Sequence, residues 1–330
     1  MNTRYTFPPW NNIPQPYKDE LLSSWLTRIA HSYHISLREL LSKYFSKYDL
    51  YSRDIDLTLL DPTVQHKLSY LTQTSTNTLV SMQLLHLEGV IQKHIQTETR
   101  NKWVISSRSN TNLKLRSSKC LRVCPICLKE DTYYKQAYKL LFMNICRKHQ
   151  IHFIDTCQKC FAPILPMRIV PPKKIFQCFQ CGYDLRNSIV TRAFKEEIDT
   201  SIFFEYCIKR KIILHNKKEI STLDYFTVLH LIAKNLHKTF PTDTIFTSSQ
   251  KITKLTKRKS HYLLYQPIPY LAQILSLSHN LIFEEWDGEL LNFLKRHKLM
   301  YASQLLNKRE NVTSKIPLWF FRQMQKLWAK

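Results

Sequence analysis

Four pairs of metal-binding residue types, each with two residues between its members, constrain the fold of this chain more than any other feature. The pairs are Cys124 and Cys127, Cys146 and His149, Cys157 and Cys160, and Cys178 and Cys181. The first and second pairs are separated by 18 residues, and the third and fourth by 17. Two consecutive sets of similar span, each with four soft ligands, predict two tetrahedral zinc sites.

Both predicted sites have four protein ligands, three cysteines and a histidine in the first and four cysteines in the second. A catalytic zinc normally keeps one position open, so the pattern predicts two structural Zn²⁺ ions. The same side chains could instead form disulfides or core contacts, but four matched pairs favour zinc. His152 is a rival of His149 with a poorer spacing, Cys120 could substitute in the first site, and Cys207 is expected to be a small buried residue.

The charge and the apolar pattern indicate the class of partner. The 330 residues carry a net charge of +24, with a pI of about 9.7, which predicts an anionic partner such as a nucleic acid. No apolar run is long enough for a membrane span, and residues 1–10 lack the apolar core of a signal peptide. Paired thiols without such a signal suit a reducing compartment, so we expect a cytoplasmic protein that binds no membrane.

Several catalytic classes are excluded by missing motifs. The chain has only 3 glycines, Gly89, Gly182 and Gly288, whereas a phosphate-binding loop needs several in one short run. No His-Glu-x-x-His pattern occurs, and His86-Leu-Glu88 is not followed by the Pro-Cys-x-x-Cys of a zinc deaminase. We therefore expect no enzyme activity and no catalytic residue, and any ATP hydrolysis would belong to a partner.

The hydrophobic periodicity predicts a mainly α-helical protein. We expect an N-terminal helix-turn-helix-like domain over residues 1–118, a double zinc-finger module of tandem ribbons or knuckles over 119–190, and a basic helical domain over 191–330. In the last of these, helices are predicted over 193–209 and 221–237, a helix-turn-helix-like segment from Pro269 and a final helix over 316–328.

Four helices are predicted in the N-terminal domain. The first begins at Tyr17, and the second is opened by a capping box of Ser36 and Glu39. The third runs over 64–72 and the fourth over 77–92, joined by a polar turn. This last pair resembles a helix-turn-helix, although packed helical pairs that never touch DNA have the same pattern.

Two basic stretches without acidic residues are candidate nucleic-acid contacts. They lie within 101–122 and 251–261, and the alternative for each is a solvated linker or loop. The residues predicted to contact nucleic acid are Arg108, Lys114, Arg116, Lys119, Lys251, Lys254, Lys257, Arg258 and Lys259.

The cysteine block and the first helix together resemble the TniQ/TnsD family, the target-site selectors of transposons. The resemblance covers roughly residues 14–190 and rests on the four ligand pairs, on Tyr133-Tyr134, on the run from Cys178 to Leu185 and on Pro16 to Arg28. Phe161 departs from the pattern, since the family often has glycine after this cysteine.

The resemblance implies a protein without strand chemistry that marks a target and recruits a TnsC-like AAA+ ATPase, which in turn brings the transposase. Such a protein could dock, often as a homodimer, on an RNA-guided CRISPR effector complex of the Cascade type with its guide RNA. It could also act on target DNA. The alternatives are an autonomous TnsD-like reader of a DNA site and a zinc-containing transcription regulator.

Overall fold

The structure, a computed structural model, describes residues 7–95, 101–107, 121–215, 218–239, 263, 266–283, 317 and 319. In these ranges the chain is mainly helical, as predicted, with two short antiparallel hairpins. The α-helices are α1 (Leu22–Ser32), α2 (Leu37–Phe45), α3 (Pro62–Thr72), α4 (Thr76–Ser81), α5 (Pro125–Glu130), α6 (Lys195–Arg210), α7 (Thr222–Thr239) and α8 (Ile268–Phe283). The strands are β1 (Ile145–Cys146), β2 (Ile151–His152), β3 (Ile212–His215) and β4 (Lys218–Ser221).

The chain divides into two compact units. The first comprises residues 1–88 and 94–192, and the second comprises 89–93 and 193–330. The predicted division at residue 118 stays a prediction, because residues 108–120 lie outside the described ranges. Across the described residues, no helix combines the length and the apolar character that a membrane crossing requires.

The first helix begins later than predicted, at Leu22 rather than Tyr17. Glu20 is fully buried, and its backbone forms an isolated bridge with Lys135. Its carboxylate accepts hydrogen bonds from the Ser24 hydroxyl and Arg28, both at 2.7 Å. Glu20 therefore anchors the segment before the helix instead of interacting with the helix dipole.

The capping box that opens α2 is confirmed. The Ser36 hydroxyl accepts from the Glu39 backbone N–H at 3.2 Å, and the Glu39 carboxylate accepts from the Ser36 N–H at 2.7 Å. These reciprocal bonds satisfy two donors that a helix start leaves unpaired. The apolar face predicted for this helix is also buried, and it consists of Leu37, Leu40, Leu41 and Phe45.

The fourth helix is much shorter than predicted, because α4 ends at Ser81. Its start is as expected, with the Ser75 hydroxyl accepting from Thr78 N–H. Beyond its end, the Gln83 amide donates to the Ile55 and Thr58 carbonyls, each at 2.7 Å. These bonds to a distant loop hold Gln83 outside the α-helix, and the chain continues as a 3-10 turn over Leu84–Leu87.

The core of the first unit lies between α1, α2, α3 and α4. Trp10 belongs to it, and its backbone N–H donates to the Leu71 carbonyl at 2.7 Å. The Trp25 indole is fully buried and donates to the Pro14 carbonyl at 2.7 Å. The proline-rich lead-in is thus fixed to the helices by two tryptophans. Met167, from the cysteine-rich half, also belongs to this core.

In the second unit, α8 packs against α6 and α7, and the hairpin of β3 and β4 pairs Ile213 with Ile220. The helix-turn-helix predicted from Pro269 is wrong, since α8 continues without a turn through Ser276 and Ser278. The Ser278 hydroxyl donates to the Ile274 carbonyl at 2.7 Å within the same helix. Serine in this role does not interrupt a helix. The predicted helix over 316–328 lies almost wholly outside the described residues.

Candidate metal centres

The first candidate centre is built from a short helix and a hairpin. Cys124 is the N-cap of α5, and its sulfur accepts from the Cys127 N–H at 3.4 Å. Cys146 lies on β1, and His149 lies in the turn that leads to β2. The Gln150 N–H donates to the Cys146 carbonyl at 2.7 Å, with Gln150 at a φ of +53°. The two tight turns bring both pairs together.

The ligand atoms of the first centre have the spacing of a tetrahedral site. All four lie within 4.8 Å of one another. The His149 Nδ1 lies 3.3 Å from the Cys124 sulfur, and the Cys127 and Cys146 sulfurs lie 3.5 Å apart. A zinc ion with bonds of 2.0–2.3 Å would place such atoms roughly 3.3–3.8 Å apart. The side chains therefore fit a metal ion of this size.

The electrostatics of the first centre also favour a cation. Contacts with Cys127 and Cys146 raise the pKa of the Cys124 thiol. Contacts with Cys124 and Cys127 lower the pKa of Cys146 to about 3, because the neighbouring thiols donate to its sulfur. The group thus resists losing all of its protons unless a cation replaces them, as a bound metal does.

Glu130 completes the surroundings of the first centre, although no sequence pattern singles it out. It is the last residue of α5, and its carboxylate accepts from the His149 Nε2 at 3.2 Å and from Lys148 at 2.7 Å. With Nε2 donating to Glu130, Nδ1 is free of its proton and faces the three sulfurs. A carboxylate behind the histidine is a common arrangement in zinc sites.

The second candidate centre joins two knuckles of the same design. The four cysteine sulfurs lie within 4.8 Å of one another, and the Cys157–Cys181 and Cys160–Cys178 sulfur pairs are each 3.6 Å apart. In the first knuckle the Phe161 N–H donates to the Cys157 carbonyl at 2.8 Å. In the second the Gly182 N–H donates to the Cys178 carbonyl at 2.9 Å. Cys157 and Cys178 are buried, and the other two are partly exposed.

Both knuckles require a residue with positive φ after the second cysteine. Gly182 has a φ of +72° and Phe161 a φ of +60°. Only glycine adopts this conformation at no steric cost. Phe161 nevertheless makes the turn, and about half of its surface, 52%, is exposed. The departure from the family pattern at this position leaves the four ligands in place.

His152 and Cys207 lie outside both groups. His152 is buried on β2, where it pairs with Ile145, and is neither a surface residue nor a member of the first group. Cys207 is buried in α6, as predicted, and burial raises the pKa of its thiol to about 12. Cys120 lies outside the described residues.

The predicted nucleic-acid contacts cannot be placed on the structure. They all lie outside the described ranges, and they are Arg108, Lys114, Arg116, Lys119, Lys251, Lys254, Lys257, Arg258 and Lys259. Arg122, which ends the first basic stretch, is fully buried. Its guanidinium donates to the Leu141 carbonyl at 2.7 Å and to the Asn144 side chain at 2.6 Å, so it is a core residue and not part of a basic arm.

The first unit joins the metal-binding segment to the N-terminal helices through many contacts. The Leu21 N–H donates to the Tyr134 carbonyl at 2.9 Å, and the Gln136 N–H donates to the Asp19 carbonyl at 2.8 Å. The Tyr134 N–H donates to the Ser24 hydroxyl at 2.9 Å. These bonds join the N-terminal end of α1 to the cysteine-rich half.

Residues 12–153 match the TniQ family model. This chain contains a TniQ domain. The match begins before α1, includes all four residues of the first candidate centre and ends before the second. The resemblance to the TniQ/TnsD family is therefore confirmed over these residues. A TniQ domain implies a transposition-associated adaptor, and the family is non-catalytic. A comparison with curated proteins finds no match.

Proposed function

We propose that this protein is a non-catalytic adaptor for the selection of transposition targets. It links a target-bearing complex to a TnsC-like AAA+ regulator and, through the regulator, to the transposase. The observation that carries the proposal is the TniQ match over residues 12–153, which joins the N-terminal helices and the first candidate centre in one domain. The contacts between these parts support a single rigid body with surfaces for two partners.

In this proposal the two centres hold structural Zn²⁺ ions. Each has four soft protein ligands, so neither leaves a position for water or substrate. The ligands of the first ion are Cys124, Cys127, Cys146 and His149, and those of the second are Cys157, Cys160, Cys178 and Cys181. The ions would stabilise short strands and knuckles, as in other small zinc-binding segments.

The described helices support an adaptor role more than an autonomous reader of DNA. The second helix of the pair α3 and α4 has only 6 residues, about 9 Å of helix. A recognition helix must present several side chains along the major groove. We therefore propose that the target is bound through a larger assembly, either an RNA-guided CRISPR effector complex or the ATPase on target DNA, rather than by this pair alone.

The test is recruitment of the ATPase. The purified, tagged protein is immobilised with target DNA or with the effector complex encoded beside it, and the neighbouring transposition ATPase is added with ATP. We expect the ATPase to be retained only when the adaptor is present. A matched reaction uses the Cys127→Ser variant, in which the first centre is damaged. Absence of retention by the intact protein, or unaided DNA cleavage by it, would contradict the proposal.

A second candidate is an autonomous DNA-binding protein, a site reader or a transcription regulator, and the net charge of +24 favours it. It differs from the adaptor in one measurable respect. Selection of random DNA duplexes with the purified protein alone would return a shared sequence if the protein reads DNA directly. The adaptor without its assembly would return none.

A further inference from the structure

Two arginines belong to segments that meet at Tyr51: Arg38 lies over its ring, and Arg168 follows Met167, whose carbonyl the Tyr51 hydroxyl contacts. Arg38 belongs to the first turn of α2, and its guanidinium carbon lies 6.0 Å from the centre of the Tyr51 ring. Arg168 belongs to the 3-10 turn Pro166–Arg168 of the cysteine-rich half, which packs against α1 and α2. Both arginine charges act on the Tyr51 hydroxyl, where burial raises the pKa and Arg168 and then Arg38 lower it.

The position of Arg168 is fixed by its neighbours in the chain. The Tyr51 hydroxyl donates to the Met167 carbonyl at 3.5 Å, and the side chain of Met167 is buried in the helical core. On the other side, the His31 Nε2 lies 3.2 Å from the Ile169 carbonyl. The backbone of the turn is thus held on both sides of Arg168, which places the start of its side chain beside Tyr51.

Neither guanidinium meets an acid within the described part of the chain. Arg38 lies against the Tyr51 ring, and Arg168 lies 5.7 Å from the centre of the Phe179 ring. Glu39, beside Arg38 on α2, is occupied because its carboxylate accepts from the N–H and hydroxyl of Ser36, each at 2.7 Å.

Two other arginines of the same unit are paired with acids. Arg28 is paired with Glu20 at 2.7 Å, and Arg186 is paired with Asp184 at 2.8 Å. In contrast, Arg38 and Arg168 keep their hydrogen-bond donors available for a ligand, and each guanidinium has five.

We propose that Arg38, which lies over the Tyr51 ring, and Arg168, which lies over the Phe179 ring, bind the phosphodiester backbone of a nucleic acid. Guanidinium groups bind phosphate oxygens through paired hydrogen bonds, and such contacts orient a protein without reading the sequence. Two charges anchored to a packed core lose less conformational entropy on binding than two on a mobile segment. Lys174, whose charge acts on His31, adds to the positive field of the same surface.

This inference extends the proposed adaptor function, for which it would supply a contact with target DNA or guide RNA. Its test needs only the purified full chain and nucleic acid. It can therefore fail while ATPase recruitment succeeds, or succeed while recruitment fails.

The experiment compares the salt dependence of binding for the wild type and for the Arg38→Gln/Arg168→Gln double variant. The probes are a fluorescent DNA duplex of arbitrary sequence and an RNA hairpin of similar length. Each lost phosphate contact should reduce the slope of log K against log salt by about one, so the double variant should flatten it by about two. We also expect Kd at physiological salt to rise roughly tenfold or more.

The matched control is Arg210→Gln in the second unit. Arg210 also lies over a tyrosine ring, 5.7 Å from the centre of Tyr206, but among the described residues no second arginine lies over that ring. A flattened slope on the duplex alone would identify DNA as the ligand, and on the hairpin alone RNA. An unchanged slope on both probes, or the same change in Arg210→Gln, would overturn the proposal. Metal content and thermal midpoint, measured on all variants, verify that they are folded.

Discussion

The amine of Lys139 lies 2.5 Å from Oδ1 of Asp54, and both side chains are almost completely buried. The same amine lies 2.7 Å from Asp56, whose carboxylate also accepts from the N–H and hydroxyl of Ser23 at 2.8 and 2.7 Å. Burial acts to lower the pKa of Lys139, but the two carboxylates outweigh it and raise the pKa. A charged lysine from the cysteine-rich half therefore connects the loop after α2 with the first turn of α1.

Replacing Lys139 with methionine should destabilise the first unit severely. Methionine is also unbranched and only one heavy atom shorter, but it leaves Asp54 and Asp56 buried without their counter-charge. Breaking a buried ion pair in this way costs about 3–5 kcal/mol of unfolding free energy. Denaturant unfolding of both proteins measures the difference. Lys148→Met is the control, since Lys148 pairs with Glu130 at the surface and its loss should matter little. Equal stabilities of the two variants would contradict this account of the cluster.

Metal analysis of the purified protein should return two zinc ions per chain. Cys127→Ser removes one ligand of the first centre, so we expect that centre to lose its ion while the second keeps its own. Cys207→Ser is the control, because Cys207 is a buried cysteine outside both groups and its variant should keep both ions. Fewer than one zinc ion per wild-type chain would refute the assignment of both centres.

Replacing Glu130 with glutamine should weaken the first centre alone. The carboxylate fixes the His149 ring through its Nε2 and makes Nδ1 a better ligand. Loss of such a partner typically lowers metal affinity 10- to 100-fold, and the exposure of Glu130 suggests a change of about tenfold. Competition with a chelating dye measures the affinity. Glu219→Gln, an exposed change on β4, serves as the control. If Glu130→Gln binds as tightly as this control, the contact with His149 has no role in metal binding.

The second unit should lose stability as the pH falls below the pKa of an ordinary histidine. Burial lowers the pKa of His279 from its ordinary value of 6.5 to about 4. Above pH 6.5 the histidine is neutral in both states, and its full contribution is present. As the pH falls through this window, only the unfolded state takes up the proton, and stability is lost by up to about 3 kcal/mol by pH 4.

Comparison of the wild type with His279→Phe isolates this effect. Phenylalanine keeps a ring in contact with Phe203 but cannot take up a proton. The bond between His279 Nδ1 and the Tyr225 hydroxyl, 2.8 Å long, is lost in the variant at every pH. Unfolding free energies should therefore differ between the proteins in slope between pH 6.5 and 5. Parallel slopes would mean that His279 is protonated alike in the folded and unfolded chains.

The parts of this structure that sequence could predict are those set by local patterns. The capping box at Ser36 and the cap at Ser75 depend on residues three positions apart, and the metal-binding pairs depend on the spacing within each knuckle. The start of α1 and the end of α4 were predicted wrongly, because contacts between distant segments decide them. Glu20 and Gln83 are held by partners far along the chain, and no local pattern announces such partners.

The candidate sites follow the same rule. The eight side chains of the two centres could be selected from their spacing, whereas Glu130, Arg38 and Arg168 could not. An acid at the end of a short helix and two arginines on different segments become meaningful only when folding places them beside His149 and Tyr51. Fixed spacing identifies the ligands within a knuckle, but contacts between distant segments can be identified only from the three-dimensional structure.

The bonds between α1 and the segment 134–139 limit how this protein can be divided for study. A fragment that begins after residue 100 would lack the Ser24 and Leu21 partners of Tyr134 and both carboxylates around Lys139. Buried polar groups without partners would then face water or the apolar core, and the fragment should be insoluble or readily cleaved by proteases even with zinc present. A division after Arg192, where the first compact unit ends, keeps all of these bonds.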